Sequence, residues 1–322
     1  MEKKKFWVYI SHANDAADAM SLSLLSRAQV LAEENGMELQ AIVAGDGCQK
    51  AAENLANMGV PLVYYADIKG LSQYEYLRIA DIIYPLVNEK TPEIFLFPAT
   101  DSASITASVL GQRLGTGVNV HCVTAEMRDG IFIGSVPAFG GQVMSEILCP
   151  VKKPQMATVR LSGGEFRKGI AGHMLSFADN APYTEGLELI SAVPEESTGI
   201  SLTDAQLVLC GGAGLGDCEG WELMTKLAEK MGAAVCCTRD ALDMDLGATA
   251  NVMVGVSGCT ITPKVYLGFG VSGAAHHLFG MKDSGLVLNV NIDKENAFFP
   301  ASDSGYVGEA KTVLNAFLKS LN

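Results

Sequence analysis

The chain has 322 residues, 48% of them hydrophobic and 18% charged, which is typical of folded domains with large cores and excludes a disordered chain. Its length predicts about two domains. The formal net charge of −13 argues against nucleic acid as a partner, because a phosphate backbone is bound by clustered Lys and Arg side chains.

No apolar run reaches the roughly 18–20 residues that cross a bilayer, and the N-terminus lacks the pattern of a secretory signal. The eight cysteines form no C-x-x-C motif, and several lie within apolar stretches. Buried reduced thiols favour a reducing compartment, so we predict a cytoplasmic protein without a membrane span. No His or Cys pair has the spacing of a metal site, and we predict no metal.

The first half of the chain alternates apolar, β-rich runs with amphipathic helical patterns, which predicts βαβ units and a mostly parallel sheet. Strands are predicted at 6–10, 39–44, 61–65 and 94–98, and helices at 21–34, 49–58, 74–87 and 102–114. Short strands joined by tight turns are predicted next, at 118–127, 130–136, 141–148 and 156–161.

A turn-rich stretch over 162–196 precedes a second region in which strands and helices alternate again. Strands are predicted there at 207–210, 234–237, 252–255, 265–269 and 286–291, and helices at 219–231, 239–244, 273–279 and 307–318. The predicted fold class is therefore α/β in two domains. Residues 1–195 form an N-terminal domain with a parallel sheet, and residues 196–322 form a C-terminal, doubly wound domain.

Glycine-rich and polar clusters follow the strands of the second domain, where ligands bind in open α/β sheets. The turns at Gly255–Gly258 and 270–273 flank a strand and precede a short helix that carries His276 and His277. Glycines let the backbone approach a ligand, and the first N–H groups of a helix point at anions. These turns predict a site for one extended, phosphate-bearing ligand beside a pair of imidazoles.

Several of these residues have a structural alternative to a role in binding. The loop at 211–216 is equally consistent with phosphate contact and with a tight turn. Arg239 could hold a ligand or form a salt bridge with a nearby aspartate. Ser272 has the place of a helix N-cap, and Asp303 precedes the last predicted helix, where aspartate is often a cap.

The segment PKVYLGFGVSGAAHHLFGM, at 263–281, resembles the C-terminal signature of the electron transfer flavoprotein α subunit. That signature reads approximately P-x-L-Y-x-A-x-G-I-S-G-A-x-Q-H-x-x-G-M, followed by A-I-N-K-D and A-D-Y-G. Further similarity lies in VGVSG at 254–258, PAFGG at 137–141 and PQMATVR at 154–160, so the resemblance extends over nearly the whole chain.

The resemblance implies an electron-carrying subunit of a heterodimer more than a stand-alone enzyme. FAD would bind in the C-terminal domain, and the electron transfer flavoprotein β subunit would pack against the chain. Electrons would pass between an acyl-CoA dehydrogenase or related reductase and another redox partner, and the resemblance leaves a place in an electron-bifurcating complex open.

The resemblance also implies roles for individual residues. Arg239, Ser257 and His277 would tune the redox properties of the flavin, with Arg239 beside the ring system, Ser257 near N5 and His277 at the O2 side. Ser272 through Ala275 would wrap the pyrophosphate and ribityl region, and Asn291 and Asp303 would hold the AMP end. The full predicted cofactor-binding set is Thr238, Arg239, Val254, Gly255, Val256, Ser257, Ser272, Gly273, Ala274, Ala275, His276, His277, Asn291, Asp303 and Ser304.

Some positions depart from the family pattern. Ala213 replaces an arginine, His276 replaces a glutamine, Ser304 replaces a tyrosine, and the stretch 102–110 lacks arginine. Three rival functions therefore stay open. A nicotinamide-binding domain is disfavoured because Arg239 follows the strand where an acidic residue would bind the ribose. The others are a non-redox adenine-nucleotide-binding or regulatory subunit without flavin, and a structural interaction subunit.

Overall fold

The computed structural model describes residues 3–13, 15–139, 143–161, 163–178, 190–191, 200–202 and 205–321. The chain divides into two compact units, one of Met1–Pro137 with Met144–Val193 and the other of Ala138–Val143 with Pro194–Asn322. Within the described ranges, every helix is too short or too polar to span a membrane.

The first unit is built on a seven-stranded parallel sheet. The described part of residues 1–178 contains twelve strands, seven of which form this sheet, while β2 with β3 and β8 with β9 and β10 form two small sheets. The strands are β1 Lys5–Ile10, β2 His12–Ala13, β3 Ala16–Ala17, β4 Glu38–Gly45, β5 Leu62–Asp67, β6 Ile94–Pro98, β7 Val118–Cys122, β8 Glu126–Arg128, β9 Ile131–Ala138, β10 Val143–Ile147, β11 Gln155–Val159 and β12 His173–Ser176. Its helices are α1 Ala19–Glu34, α2 Cys48–Met58, α3 Tyr76–Lys90 and α4 Asp101–Leu114. The sheet order is β12-β5-β4-β1-β6-β11-β7, and all neighbouring strands run parallel.

Both faces of this sheet are buried, as expected for parallel strands covered by helices. Along β1, Phe6, Val8 and Ile10 enter one core with residues of α1 and α2, while Trp7 and Tyr9 enter a second core with residues of α3 and α4. This alternation is the two-residue period of a strand. The predicted parallel sheet of the N-terminal domain is confirmed.

The second unit carries a five-stranded parallel sheet. Its strands are β13 Leu207–Gly211, β14 Ala234–Cys237, β15 Val265–Phe269, β16 Leu286–Asn291 and β17 Ser304–Val307, and its α-helices are α5 Cys218–Met231, α6 Arg239–Asp243, α7 Ala275–Phe279 and α8 Ala310–Ser320. Short 3-10 turns cover Ala213–Leu215, Ala250–Val252 and Phe299–Ala301. The order β14-β13-β15-β16-β17 changes its direction of progression between β13 and β15, where doubly wound sheets bind their ligands.

Helices α5 and α8 cover one face of this second sheet, and their Met224, Leu227 and Leu314 share a core with Phe269. The opposite face packs against α7 and irregular segments, which contribute residues such as Phe298. The α/β class with two parallel sheets is therefore confirmed.

Three predicted elements of the second unit are wrong in part. No strand forms at 252–255, because only single bridges follow the 3-10 turn before Gly255, whose φ of +147° breaks the extended backbone. The last helix begins at Ala310 and not at Val307, which ends β17. The short helix begins at Ala275, because Gly273 still has a turn conformation with a φ of +79°.

In the middle of the chain, two predictions differ from the structure and a third agrees with it. The strand predicted at 118–127 is divided into β7 and β8, because His121 has a positive φ of 55° and the pairing of β7 shifts in register. Strand β12 falls within the stretch predicted to be turn-rich, and it pairs with β5 at the edge of the sheet. The predicted strand at 141–148 is seen as β10, and its first two residues lie outside the described ranges.

Candidate functional site

Two glycine turns pack against each other at the carboxyl ends of β13 and β15. Gly212 donates its N–H to Phe269 O at 2.9 Å, and Gly214 donates to Gly270 O at 3.0 Å. A Cβ at position 212 would lie 2.2 Å from the Gly270 oxygen. Gly212 and Gly214 therefore serve this close packing, which supports the tight-turn role that the sequence left open for the loop.

A cleft of about 70 Å³ lies beside these turns, next to the end of β14. Its lining combines three segments: Thr238, Arg239, Asp240, Met253, Val254, Gly255, Val256, Ser257, Ser272, Ala274, His276 and His277. All but Asp240 and Met253 belong to the predicted cofactor-binding set. Sites for whole ligands typically measure about 300–1,000 Å³, so this cleft fits one part of an extended ligand.

Backbone hydrogen bonds hold the three lining segments together. Val254 N donates to Cys237 O at 3.0 Å, and Val256 N donates to His276 O at 2.9 Å. Thr238, which is buried, caps α6 by accepting the Ala241 N–H on its hydroxyl at 3.3 Å. Main-chain hydrogen bonds and the Thr238 cap therefore hold the wall of the cleft in place, without the exposed side chains that line it.

Arg239 is the cation of the cleft, and its position is set by Asp243. The guanidinium Nε donates to both carboxylate oxygens of Asp243, at 2.8 and 2.9 Å. The salt bridge proposed from the sequence thus forms along α6, between residues four apart. Within the described part of the chain, the two terminal nitrogens of Arg239 make no hydrogen bond, so four N–H donors stay available to a ligand.

Three more polar side chains of the lining are available to a ligand. Ser257, Ser272 and His276 are exposed, and they form no side-chain hydrogen bond among the described residues. Ser272 does not cap α7: the N-cap is Ala274, so the predicted capping role of this serine is wrong. Its hydroxyl is consequently free to donate to an anion.

His277 differs from its neighbour because it is 5% exposed and both ring nitrogens face protein atoms. Nδ1 donates to Val254 O at 2.9 Å, and Nε2 lies 2.7 Å from the Tyr266 hydroxyl and 3.8 Å from the Cys210 sulfur. Burial is the largest single effect and lowers the pKa of His277, but the charge and hydrogen bond of Cys210, the Val254 carbonyl and the charge of Asp240 together raise it. His277 is therefore part of the wall of the cleft, and both of its ring nitrogens contact the protein interior.

Sequence reasoning missed the two internal partners of this histidine. Tyr266 and Cys210 lie on neighbouring parallel strands and face the same core. The alternation of side chains along 265–269 could have placed Tyr266 on one face of the sheet and Leu267 and Phe269 on the other. Register between strands, which places Tyr266 near Cys210, is not contained in that pattern.

Five predicted cofactor-binding residues do not line the cleft: Gly273, Ala275, Asn291, Asp303 and Ser304. Asn291 supports the second glycine turn by donating its amide to Val271 O at 2.9 Å.

Asp303 precedes β17, and its carboxylate accepts the Val287 N–H at 2.8 Å. Because Val287 lies four residues before the end of β16, Asp303 is about 13 Å from the carboxyl edge of the sheet. Ser304 lines a separate groove of about 570 Å³ beside α8.

The residues of the cleft fit an anionic, ring-bearing cofactor. A guanidinium, two hydroxyls and an exposed imidazole converge on it, and Gly255 leaves no room for a side chain, since a Cβ there would lie 2.9 Å from the His276 oxygen. Donors and a cation at the carboxyl edge of a parallel sheet are the features of a domain that binds a nucleotide cofactor. In the described ranges, no group of three or more His, Cys, Asp or Glu residues is arranged to hold a metal ion.

Comparison with known families identifies the cofactor. The electron transfer flavoprotein domain matches residues 6–173, and the electron transfer flavoprotein FAD-binding domain matches residues 201–282. The chain belongs to the electron transfer flavoprotein α-subunit family, and its C-terminal part is the FAD-binding domain of that family.

Similar proteins cover the whole chain. It is 30% identical to the electron transfer flavoprotein subunit alpha of Thermoanaerobacterium thermosaccharolyticum, over 99% of this chain and 98% of that protein. It is 31% identical to the protein FixB of Clostridium saccharobutylicum, over 97% of this chain and 94% of that protein. A more distant relative, at 26% identity over 97% of this chain and 75% of the other, is the lactate dehydrogenase (NAD(+),ferredoxin) subunit LctC of Acetobacterium woodii.

Proposed function

We propose that the chain is the electron-carrying α subunit of a heterodimer with an electron transfer flavoprotein β subunit. In this function it holds one FAD and transfers electrons between an acyl-CoA dehydrogenase or related reductase and another redox partner. The observation that carries the proposal is the cleft itself, in which a cation and hydroxyl donors meet at the edge of an FAD-binding domain. All eight cysteines are free thiols, which supports a cytoplasmic location.

Residues of the cleft have separable tasks in this proposal. FAD, when bound, supplies the reversible uptake of electrons. Arg239, oriented by Asp243, presents its terminal N–H groups to the ring system and favours added electron density there. Ser257 and Ser272 donate hydrogen bonds from the two glycine turns, and buried His277 contributes positive charge from behind the wall.

The remaining predicted residues act outside the cleft. We propose that Gly273 and Ala275 shape the turn that wraps the pyrophosphate, and that Asn291 supports this turn through Val271. The assignment of Asp303 and Ser304 to the AMP end requires the ligand to extend well below the carboxyl edge of the sheet.

The test begins with the absorption spectrum of the chain purified together with its β subunit, followed by release and identification of the cofactor. A yellow heterodimer that releases FAD supports the proposal. A colourless heterodimer that retains an adenine nucleotide would instead support a non-redox nucleotide-binding subunit. That second candidate draws on Ala213, which places a methyl group where the family signature has an arginine.

Arg239 provides the sharper measurement. Arg239→Ala should lower the midpoint potential of the bound flavin, because the reduced, more negative ring loses its nearest cation. Arg239→Lys keeps the charge and serves as the matched control, so its potential should lie between those of the parent and the alanine variant. Equal potentials in all three proteins would remove Arg239 from the flavin site.

A place in an electron-bifurcating complex is a finer part of the proposal. The name of the Acetobacterium woodii relative combines a lactate dehydrogenase with NAD(+) and ferredoxin. Bifurcation needs a second flavin, which the β subunit would hold, so the flavin content of the heterodimer tests it. One flavin per heterodimer, after reconstitution with excess FAD, would exclude bifurcation here.

A further inference from the structure

Four side chains meet behind the wall of the cleft and form what we name the Cys210 cluster: Cys210, Cys236, Tyr266 and His277. Cys210 on β13 is in register with Cys236 on β14, and Tyr266 lies on the other neighbouring strand, β15. The first three residues are fully buried, and His277 of α7 completes the cluster. On β15, the partner of Cys210 is Gly268, which has no side chain to separate the sulfur from His277.

The hydrogen-bond geometry leaves the position of one proton to be decided. Nδ1 of His277 faces the Val254 carbonyl oxygen, which can only accept, so Nδ1 carries a proton. Nε2 faces the Tyr266 hydroxyl at 2.7 Å and the Cys210 sulfur at 3.8 Å. Among the described residues, the backbone acceptor for a proton kept on the sulfur is the Gly211 carbonyl, at 4.0 Å.

After burial, which is the largest cause for each group, interactions with Cys210 contribute to the pKa shifts of the other three. Burial is the largest single effect and raises the pKa of the Cys210 thiol, but the hydrogen bond from Cys236, the charge of His277 and the hydrogen bonds from His277 and Tyr266 together lower the pKa to about 5. Burial is the largest single effect on His277 and lowers its pKa, while the charge and hydrogen bond of Cys210, the Val254 carbonyl and the charge of Asp240 together raise it above the ordinary value. Burial, and then the interactions with Cys210, raise the pKa of Cys236 and of Tyr266.

We propose that Cys210 is a thiolate paired with a protonated His277, an ion pair built into the wall of the cleft. The S–H bond of Cys210 breaks and its proton forms the Nε2–H bond of His277, so charge is separated without any transfer of electrons. The Nε2–H of the imidazolium is shared between the Tyr266 oxygen, which accepts at 2.7 Å, and the more distant sulfur, while Tyr266 and Cys236 donate their O–H and S–H to the sulfur. Hydrogen bonds to the charged form and a neighbouring cation are the two effects that stabilise a buried thiolate.

The surroundings of the pair support this assignment of charge. Asp240, on α6, lines the cleft and raises the pKa of His277. Burial raises the pKa of Cys237 on β14 to about 12, so this residue stays a thiol. Cys259 also contributes to the raised pKa of Cys236. On the side of the cleft the imidazolium therefore has Asp240 and the cation Arg239, whose charge is paired with Asp243, and on the buried side it has one thiolate.

Cys210 is thus a positioning residue, since it acts on the cleft through His277. This consequence rests on the proposed function: the pair directs its positive end toward the cleft, where it favours electron density on a bound flavin. The ion pair itself does not depend on any ligand, and it can be measured in the flavin-free chain.

The experiment is an ultraviolet titration of the full chain after removal of flavin, because a thiolate absorbs where a thiol does not. The parent protein is compared with Cys210→Ser, which keeps a hydrogen-bonding group but cannot ionise in this range. Cys218→Ser is the matched control, since Cys218 is exposed and lies outside the cluster. Tyr266→Phe removes one donor to the thiolate and keeps the ring.

We expect the parent and Cys218→Ser to show a thiolate step equal to one cysteine, with a midpoint near pH 5. Cys210→Ser should lack this step, and Tyr266→Phe should move it to higher pH. An acid-range spectrum that is identical in the parent and Cys210→Ser would overturn the proposal. Should Cys210→Ser not fold, a parent protein without an acid-range step, or an unshifted midpoint in Tyr266→Phe, would overturn it as well.

A second measurement separates this proposal from the proposed function. In the FAD-loaded heterodimer, Cys210→Ser should retain flavin and lower its midpoint potential, because the positive end of the pair is lost. A parent heterodimer that binds no flavin but shows the thiolate step would refute the proposed function and leave the ion pair supported. A flavin-loaded heterodimer whose chain lacks the step would refute the ion pair alone.

Discussion

Gly273 offers a direct test of how the second glycine turn is built. Its φ is +79°, and a Cβ there would lie 2.3 Å from Phe298 N and 2.7 Å from Ala297 C. Both are backbone atoms, and Cβ contacts under 3.0 Å are essentially never seen, so Gly273→Ala must displace the backbone by at least about 0.7 Å. The left-handed conformation adds roughly 1–2 kcal/mol for a residue with a side chain.

Gly216→Ala is the matched control, because its φ is +85° and nothing lies within 4 Å of its Cβ. Both variants carry the conformational cost, while only Gly273→Ala adds the steric one, typically about 1–3 kcal/mol for an overpacked site. We expect Gly273→Ala to unfold at lower denaturant concentration and to lose FAD during gel filtration, and Gly216→Ala to retain FAD. Equal stability and equal flavin content in the two variants would refute this account of the turn.

Two further predictions concern buried polar groups. Asn289 is 1% exposed, and its amide nitrogen and oxygen have no hydrogen-bond partner among the described residues. An unpaired buried polar group costs about 1–3 kcal/mol, so Asn289→Ala should leave the free energy of unfolding unchanged or raise it. Asn291→Ala removes the hydrogen bond to Val271 O and should lower the free energy of unfolding by about 1–3 kcal/mol. A lower free energy of unfolding in both variants would contradict this. The Cys210 cluster predicts a pH dependence of stability between about pH 5, the pKa of Cys210 in the folded protein, and pH 6.5, the ordinary pKa of histidine. In this range the folded Cys210–His277 pair shares one proton, whereas in the unfolded chain the thiol and the imidazolium hold one each. Stability should therefore rise with pH in this window, by about 2 kcal/mol at 1.36 kcal/mol per pH unit, and be lost as pH falls through 5. In Cys210→Ser this rise should be absent, and denaturant unfolding at the two ends of the window measures it.

Much of the sheet could be predicted because its strands are apolar runs bounded by turn residues. The predicted limits of Ala234–Cys237, Val265–Phe269 and Leu286–Asn291 agree with the structure at both ends. Strands buried on both faces are nearly continuous hydrophobic runs, and such runs have clear ends. By contrast, β17 is a short edge strand with four exposed residues, two of them Ser and Gly, so its composition is that of a loop.

The start of α7 could not be predicted because two local rules disagree. Ser272 followed by Gly273 is a plausible cap and first turn on residue preference alone. The structure instead uses the freedom of Gly273 to adopt a positive φ, which allows close contact with the backbone at Ala297 and Phe298 and delays the helix by two residues. Tertiary packing decides between the rules, and the residues that pack there are far away in the sequence.

The cleft and the Cys210 cluster differ in what they require of the sequence. Most lining residues of the cleft belong to turns that follow parallel strands, and parallel strands bring their carboxyl ends to one edge whatever the register. The cluster needs a particular register, because a shift of one residue between β13 and β14 would turn Cys236 away from Cys210 and bring Cys237 or Val235 beside it. A sequence pattern specifies which face a side chain occupies along its own strand, but not which residue stands opposite. For this reason the cleft could be predicted from glycine turns, while the residues that contact His277 from the buried side required the structure.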